Sequence, residues 1–438
     1  MAGSQVAGRI APEHRSLLRL VWPMVPAELV DVFLPMATLI LMGRMGAEAL
    51  YVRSLFTPLA FLFLALHTGL GVTTQVAAAV ARGQGRLDQV AGRVTSIVRV
   101  GLPAALVLAG VLAVLAPTLA HLLSAQPSAR DDFVEFVRWT GLAYVCVLGP
   151  TVCVSALRGG GRPWAAGAVI AGVATIQIGL TAIGVAVHAG ILVVPAAIAA
   201  ANVAGTVAGV VLLRRFGAWP PGTSLAWRPA VVGSLLSIGA PVAGSLLILF
   251  VSNLGLTWVV SAFGPDVVTG FATAATVQSV VVVPAIALGS ATAILMNEHR
   301  GAGRGDRLPG VLDAGLRISA IFYLVTTTLV VFATAHGPTM RAVTGNAAAA
   351  SEARHYLAVV GPTYLCMGLA LVALTIMEQL GAGALAVTLN GTYVLVTLGG
   401  GGWLARHAHH PDPLYLVVAV ANVLAVGVLP IVTRKLAR

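Results

Sequence analysis

Long apolar stretches, separated by short groups of charged residues, glycine and proline, run through the whole chain of 438 residues. A helix needs about 20 residues to cross a hydrocarbon core of about 30 Å. Because lipid offers the backbone no hydrogen-bond partners, each stretch of that length is predicted to be an α-helix. The pattern predicts an all-α polytopic membrane protein with twelve spans, near 18–42, 51–80, 94–119, 133–156, 163–187, 191–213, 230–262, 267–296, 310–334, 353–377, 382–405 and 412–433.

The composition excludes several classes of protein. Apolar residues make up 58% of the chain and charged residues 9%, and the mean hydropathy is +0.94. Soluble domains carry about 25% charged residues, so a soluble enzyme, a disordered chain and a nucleic-acid-binding protein are excluded. The one lysine, Lys435, lies at the C-terminus, so no Walker A motif exists, and no HExxH, GxSxG or CxxC motif occurs. We therefore expect no enzyme, no cofactor and no metal site.

The basic residues predict the orientation. If both termini lie in the cytoplasm, nineteen of the 26 basic residues fall in cytoplasmic segments and seven in outer ones. Positive residues favour the cytoplasmic side, where they also meet anionic lipid headgroups. The single lysine against 25 arginines suggests a GC-rich bacterial gene. We expect a multi-pass protein of the bacterial inner membrane with both termini cytoplasmic, in contact with membrane lipids and monomeric.

The chain repeats itself. Pro23 matches Pro241 and Gly46 matches Gly264 at one constant offset, and Tyr144 matches Tyr364 at an offset that is longer by two positions. Each half holds six spans, so the repeats are parallel, and substrate is expected between the two lobes. The predicted lobes are residues 1–215 and 230–438, joined by a cytoplasmic linker at 216–229.

Several segments resemble the multidrug and toxic compound extrusion (MATE) family, within the MOP superfamily. They are Pro23 in the first span, the turn Gly43-Arg44-Met45-Gly46-Ala47-Glu48-Ala49-Leu50, the paired segments Arg82-Gly83-Gln84-Gly85 and Arg300-Gly301-Ala302-Gly303, and Leu157-Arg158-Gly159-Gly160-Gly161. The resemblance covers nearly the whole chain. It implies an antiporter that exports small organic, often cationic, compounds by alternating access and exchanges them for protons, with sodium as the alternative ion. A lipid-linked precursor flippase of related fold and a dedicated natural-product exporter remain as alternatives.

The chain departs from the family at its usual cation-binding positions. The acid that many bacterial members carry fifteen residues after the first proline is replaced here by Thr38. The acidic and amide pair of the fifth span falls near Gln177, and the acid that some members carry in the seventh span falls near Phe250, close to Ser252 and Asn253. The resemblance therefore does not supply a coupling site at these positions.

The residues themselves suggest another coupling site. Ionisable groups inside membrane spans are costly and are functional candidates by default. Glu28 and Asp31 lie on one face of the first span, and Thr38 continues that face. His67, halfway along the second span, lies at a similar depth if each helical residue rises by about 1.5 Å. We predict that Glu28, Asp31 and His67 exchange protons as a cluster, whose three counterparts in the second repeat are apolar.

Other polar residues within the spans are candidates for the substrate cavity: Arg53, Tyr144, Gln177, Asn253, Gln278 and Tyr364. Glu378 occupies the repeat position of Arg158 and is expected in water at the cytoplasmic end of the tenth span. The three cysteines, Cys146, Cys153 and Cys366, are expected to be packing residues.

Overall fold

The computed structural model describes residues 12–122, 126–336 and 347–436, without the side chains of residues 12, 31, 32, 335, 336, 435 and 436. Within these ranges the regular structure is entirely helical. The α-helices are α1 Pro12–Gly43, α2 Ala47–Gly83, α3 Val90–Leu122, α4 Arg130–Gly159, α5 Pro163–Ala186, α6 Val193–Arg215, α7 Ala230–Ser234, α8 Ala240–Val260, α9 Pro265–Gly301, α10 Leu308–His336, α11 Ala347–Val360, α12 Tyr364–Met377, α13 Gly383–Val394, α14 Gly402–Ala408, α15 Asp412–Ala425 and α16 Val428–Leu436. Three π-helical segments continue these helices: Leu235–Gly239, Glu378–Ala382 and Leu395–Gly401.

The described residues contain eleven helical stretches that are long and apolar enough to cross a membrane. One of them, Ala347–Ala408, has 62 residues, about three times the length that one crossing needs. Gly381 interrupts it with a left-handed φ of 85°. Gly161, its counterpart in the first repeat, lies in the turn between α4 and α5 and has a φ of 76°. The long stretch therefore contains two spans around Gly381, and the predicted count of twelve is confirmed.

The backbone also confirms the predicted duplication. Gly46 and its counterpart Gly264 have φ angles of 131° and 106°, each directly before the second helix of its repeat. Gly85 and Gly303 have φ angles of 70° and 71°, each just after that helix. Residues other than glycine rarely adopt such φ angles, because their Cβ atom clashes with the backbone. The two halves thus share their turns as well as their sequence register.

The chain folds into two compact units. The unit that we call the N-terminal unit comprises residues 26–243 and 300–303. Its central helix is α4, which packs against α2, α3, α5 and α6. Small residues permit this close packing: a Cβ atom at Gly159 would lie 2.2 Å from the carbonyl oxygen of Gln75 on α2.

The segment 216–229, predicted as the cytoplasmic linker between the lobes, makes contacts within the N-terminal unit. The Arg162 guanidinium lies 4.7 Å from the ring centroid of Phe216. The backbone N–H of Arg228 donates to Oγ of Ser96 on α3 at 3.1 Å. The division between the units falls inside two helices instead, between Val25 and Pro26 in α1 and between Ala243 and Gly244 in α8. The lobe boundaries at 215 and 230 stay a prediction.

The C-terminal unit contains the described residues of 12–25, 244–299 and 304–436. Its central helix is α12, which packs against α10, α13, α15 and α16. Gly368 on α12 faces the ring of Tyr323, and a Cβ atom there would lie 2.4 Å from that ring. The helix α12 belongs to the fourth span of its repeat, as α4 does, so each unit is built around its fourth span.

The turn at Gly381 gives a stability prediction. Gly381→Ala is expected to lower the free energy of unfolding by about 1–2 kcal/mol, because a Cβ atom disfavours the left-handed conformation although nothing lies within 4 Å of it. Thermal unfolding of the purified protein in detergent measures the change. Gly391→Ala in the neighbouring α13, which has equal space and an ordinary φ, should be neutral or slightly stabilising. Equal effects of the two substitutions would contradict the prediction.

Candidate functional site

Glu28 on α1 and Arg158 on α4 form an ion pair inside the N-terminal unit. Nη1 of Arg158 donates to Oε1 of Glu28 at 2.5 Å. The side chains are 19% exposed for Glu28 and 12% for Arg158. Both charges are thus largely withdrawn from water, and each offsets the cost of burying the other.

The local sequence explains where this pair forms. Arg158 lies in the last turn of α4, where the helix dipole favours a positive charge. Glu28 follows Pro26, which removes one backbone hydrogen bond of α1 and permits a bend there. The ion pair therefore fixes the part of α1 directly after a potential bend to the central helix of the unit.

The equivalent place in the C-terminal unit holds an acid that forms no ion pair with the described residues. Glu378 directly follows α12, and its Oε1 accepts a hydrogen bond from the Ser245 hydroxyl on α8 at 2.6 Å. The Ser245 oxygen in turn accepts a bond from Nδ2 of Asn390 at 3.1 Å. Glu378 is only 9% exposed, so the expectation that it lies in water is wrong. The helix continues past Met377 as the π-helical segment, which keeps Glu378 among its neighbours.

The predicted cluster of Glu28, Asp31 and His67 is only partly visible. The side chain of Asp31 lies outside the described residues. His67 is buried at 4% exposure, and its Nε2 has no hydrogen-bond partner among the described residues. In that part of the chain no hydrogen bond or ion pair joins Glu28 to His67, since the partner of Glu28 is Arg158. The proton-binding role of the three residues stays a prediction.

The other candidates in the N-terminal unit differ in their surroundings. Thr38 is buried, and its hydroxyl donates to the Leu34 carbonyl of its own helix at 2.9 Å. Arg53 donates to Oγ1 of Thr57 at 3.4 Å. Tyr144 stacks on Phe63 with ring centroids 5.2 Å apart. Gln177 is buried at 7% exposure.

The candidates in the C-terminal unit are also dispersed. Asn253 is exposed and donates to the Leu249 carbonyl at 3.1 Å. Gln278 accepts a hydrogen bond from the hydroxyl of Tyr356 at 2.9 Å. Tyr364 is fully buried. The structure thus ties most predicted cavity residues to neighbours within their own unit.

The contact of Arg158 with Glu28, and those of Ser245 and Asn390 with Glu378, were not predicted from the sequence. Glu28 lies inside the first predicted span, whereas Arg158 lies just after the fourth, so their positions along the chain do not indicate that they meet. Among the described residues no group of three or more His, Cys, Asp or Glu side chains is arranged to hold a metal ion. The cysteines are free, and Cys153 is buried.

Comparison with known proteins assigns the family. The family model MatE matches residues 23–183 and again 241–399. The chain belongs to the MatE family. The two matches begin at Pro23 and Pro241, which are the first repeat pair seen in the sequence. No curated protein matches the chain.

Solved structures share the fold at low identity. A MATE transporter of Vibrio cholerae, VcmN, has a TM-score of 0.89 at 17% identity and covers 97% of this chain and 96% of its own, in a structure of a point mutant. A MATE in complex with MaD5 has a TM-score of 0.87 at 17% identity, with coverages of 97% and 96%. The outward-facing conformation of a multidrug resistance MATE family transporter has a TM-score of 0.84 at 18% identity, with the same coverages.

Family and fold together give the general class. Members of the MatE family are transporters and not enzymes, so this chain is a multi-pass membrane transporter of the efflux type. Glu28, which is ion-paired, and Glu378, which is 9% exposed, both lie within membrane-spanning stretches.

The Glu28–Arg158 pair gives a stability prediction. Glu28→Gln and Arg158→Gln are each expected to lower the free energy of unfolding by about 3 kcal/mol, because each leaves a buried charge uncompensated. The loss in free energy of unfolding of the double variant should be clearly smaller than the sum of the two single losses. A double-mutant cycle of thermal unfolding measures this difference. Asp313 and Arg317, paired at 2.9 Å but more than half exposed, serve as the control with a coupling of about 0.5 kcal/mol or less. If the two losses were additive, the interaction between Glu28 and Arg158 would contribute nothing to stability.

Proposed function

We propose that this protein exports small organic compounds, preferentially cations, in exchange for protons that enter the cell. The observation that carries the proposal is the ion pair of Glu28 and Arg158, which joins α1 to α4 beside Pro26 in a chain of the MatE family. The proposed setting is the bacterial inner membrane, with both termini in the cytoplasm and the protein acting as a monomer.

The chemistry of the pair supports proton coupling. An ionised Glu28 with little access to water is stabilised by the Arg158 charge. When the carboxylate binds a proton, the attraction between two opposite charges disappears, and the charged Arg158 guanidinium keeps only a hydrogen bond to a neutral carboxyl group. The proton therefore weakens the contact that holds α1 to α4.

Weakening that contact favours a different state of α1. Pro26 lies two residues before Glu28, so α1 has a point at which it can bend once the contact is loosened. A ligand shifts such an equilibrium only by its different affinity for the two states. In this scheme the proton favours the state in which α1 is released from α4, and the substrate favours the state in which the contact is intact. The two ligands would then drive the transport cycle in opposite directions. We propose this as the basis of alternating access.

Aromatic side chains next to His67 suit an organic cation. Tyr144 stacks on Phe63, keeps part of its surface exposed, and lies 6.1 Å from Phe56 by ring centroids. Ring faces attract cations when water is excluded. The multidrug resistance transporter with the same fold supports a substrate of this general class, and the cavity shape selects the individual compound.

The test is uptake of a fluorescent organic cation into inside-out membrane vesicles with an acidic lumen. The protein should accumulate the cation, and the double variant Glu28→Gln/Arg158→Gln should lose gradient-driven uptake by about tenfold or more, which corresponds to about 1.4 kcal/mol. The double variant is used because it leaves no unpaired charge behind. Glu135→Gln removes an exposed acid from α4 and is the matched control. Asp31→Asn and His67→Gln test the other two predicted groups.

Two results would contradict the proposal. Equal gradient-driven uptake by the protein and by the double variant would remove the pair from the coupling mechanism. Absence of gradient-driven uptake by the unaltered protein, with uptake driven by a sodium gradient instead, would exclude the proton as the coupling ion.

A further inference from the structure

We propose that Glu378 is a second proton-binding site, located in the C-terminal unit and formed together with Ser245 and Asn390. Its role in transport rests on the proposed function, whereas its binding of a proton does not. The site combines three elements: α8 provides Ser245, the π-helical segment provides Glu378 and α13 provides Asn390.

Among the described residues, no opposite charge is paired with Glu378. Its partner is the neutral hydroxyl of Ser245, and no ion pair reaches it among the described residues. The helices α8, α12 and α13 contain no Asp, Glu, Lys, Arg or His, and their titratable groups are Tyr364, Cys366 and Tyr393. An ionised carboxylate in this place would be a buried charge without a counter-ion, which is strongly unfavourable. A bound proton removes that charge.

The neighbouring polar residues on α9 are engaged with Gln379 rather than with Glu378. Nδ2 of Asn297 donates to the carbonyl oxygen of Gln379 at 3.1 Å, and the Gln379 side-chain amide donates to Oγ of Ser290 at 2.8 Å. The charged groups that follow on α9 are Glu298, His299 and Arg300, and no ion pair joins Glu378 to His299 or Arg300 in the described part of the chain. These contacts fix the turn beside Glu378 and leave its charge unbalanced.

Comparison of the two repeats shows that only the second has an acid without a counter-charge at this position, among the described residues. Arg158 and Glu378 occupy equivalent positions of the two repeats, and so do Ala27 and Ser245. In both units the end of the fourth span contacts the first helix of its repeat. The first repeat makes this contact with two opposite charges, and the second with one acid and a hydroxyl.

The arrangement suits a proton better than a metal ion. Hard metal ions in proteins take several oxygen ligands. Here the Ser245 oxygen already accepts from Asn390, whose amide nitrogen points to it, so the carboxylate is the main free acceptor of the three side chains. One carboxylate is sufficient for a proton. Glu378 is 9% exposed, so its carboxyl group is largely withdrawn from solvent.

The proposal also fits the backbone. Glu378 lies in the last helical turn before Gly381, whose φ of 85° ends the helix between the tenth and eleventh spans. Protonation of Glu378 would therefore act at the junction of the tenth and eleventh spans, where α8 also makes contact.

Infrared spectroscopy of the purified full-length protein in lipid nanodiscs tests proton binding directly. We expect a carbonyl stretching band of a protonated carboxyl group that disappears as the pH is raised and that is missing in Glu378→Gln. Ser245→Ala should move the midpoint of this titration, whereas Ser290→Ala should not. Glu352→Gln, which removes an acid that accepts a bond from the Tyr415 hydroxyl, should leave the band in place.

Glu378→Asp is the control for folding. Glu378→Asp should restore a titrating band at a shifted frequency, which shows that the loss in Glu378→Gln is due to the missing acid and not to unfolding. Identical spectra of the protein and Glu378→Gln across the pH range would overturn the proposal. Suppression of the titration by Na⁺ at constant ionic strength would also overturn it, because the site would then hold a metal ion.

Transport measurements separate this proposal from the proposed function. If the protein shows uptake driven by the pH gradient, Glu378→Gln should exchange fewer protons per substrate molecule, while counterflow of substrate without a gradient continues. An unchanged proton ratio would exclude Glu378 from coupling. If the unaltered protein shows no proton-driven uptake, the proposed function fails, and the infrared titration still decides whether Glu378 binds a proton.

Discussion

The cost of holding a charge away from water governs the placement of functional groups in this protein. A membrane-spanning helix can satisfy all of its backbone groups internally, but it cannot satisfy an ionised side chain. Each buried charge must therefore find a counter-charge, reach water or bind a proton. Glu28 takes the first course with Arg158. Glu378, with a hydroxyl as its partner, is left with the third.

The two repeats thus use the same contact in different ways. In each repeat the first helix is held to the end of the fourth span, by Glu28 and Arg158 in the first repeat and by Ser245 and Glu378 in the second. An ion pair strengthens this contact when the acid is ionised. The Ser245 hydroxyl also bonds an ionised carboxylate more strongly than a neutral one, but burial without a counter-ion favours the neutral form of Glu378. Protonation would accordingly loosen the ion pair of the first repeat and lower the cost of burying Glu378 in the second.

The sequence was sufficient for the architecture because the architecture depends on local and periodic features. The apolar stretches, the turn before Ala47 and the matching glycines follow from hydropathy and backbone sterics, which neighbouring residues determine. The candidate site was harder to predict because it depends on contacts between distant residues. Arg158 lies 130 residues from Glu28, and its helical position alone does not reveal which neighbour it meets.

Other side chains show a further physical reason. Thr38 and Asn253 each donate to a carbonyl of their own helix, while their roles as candidates stay predictions. Such a bond is open to short polar side chains in any helix and leaves no trace in the sequence. Glu378 was placed in water because the apolar stretch ends at Met377, whereas the helix continues beyond it as a π-helical segment.

Where one contact both holds a helix and binds a proton, proton binding and release of the helix are coupled directly, without a pathway through other residues. The stability of such a contact depends on the protonation state, so the conformational equilibrium depends on it by the same free energy. The size of that coupling is limited by the strength of the contact, which for a largely buried ion pair is a few kcal/mol. A shift of about 3 kcal/mol changes a two-state ratio by more than a hundredfold, which is enough to link proton entry to a change of state. The second repeat would then need only to respond with the opposite sign, and Glu378 beside Ser245 has the chemistry to do so.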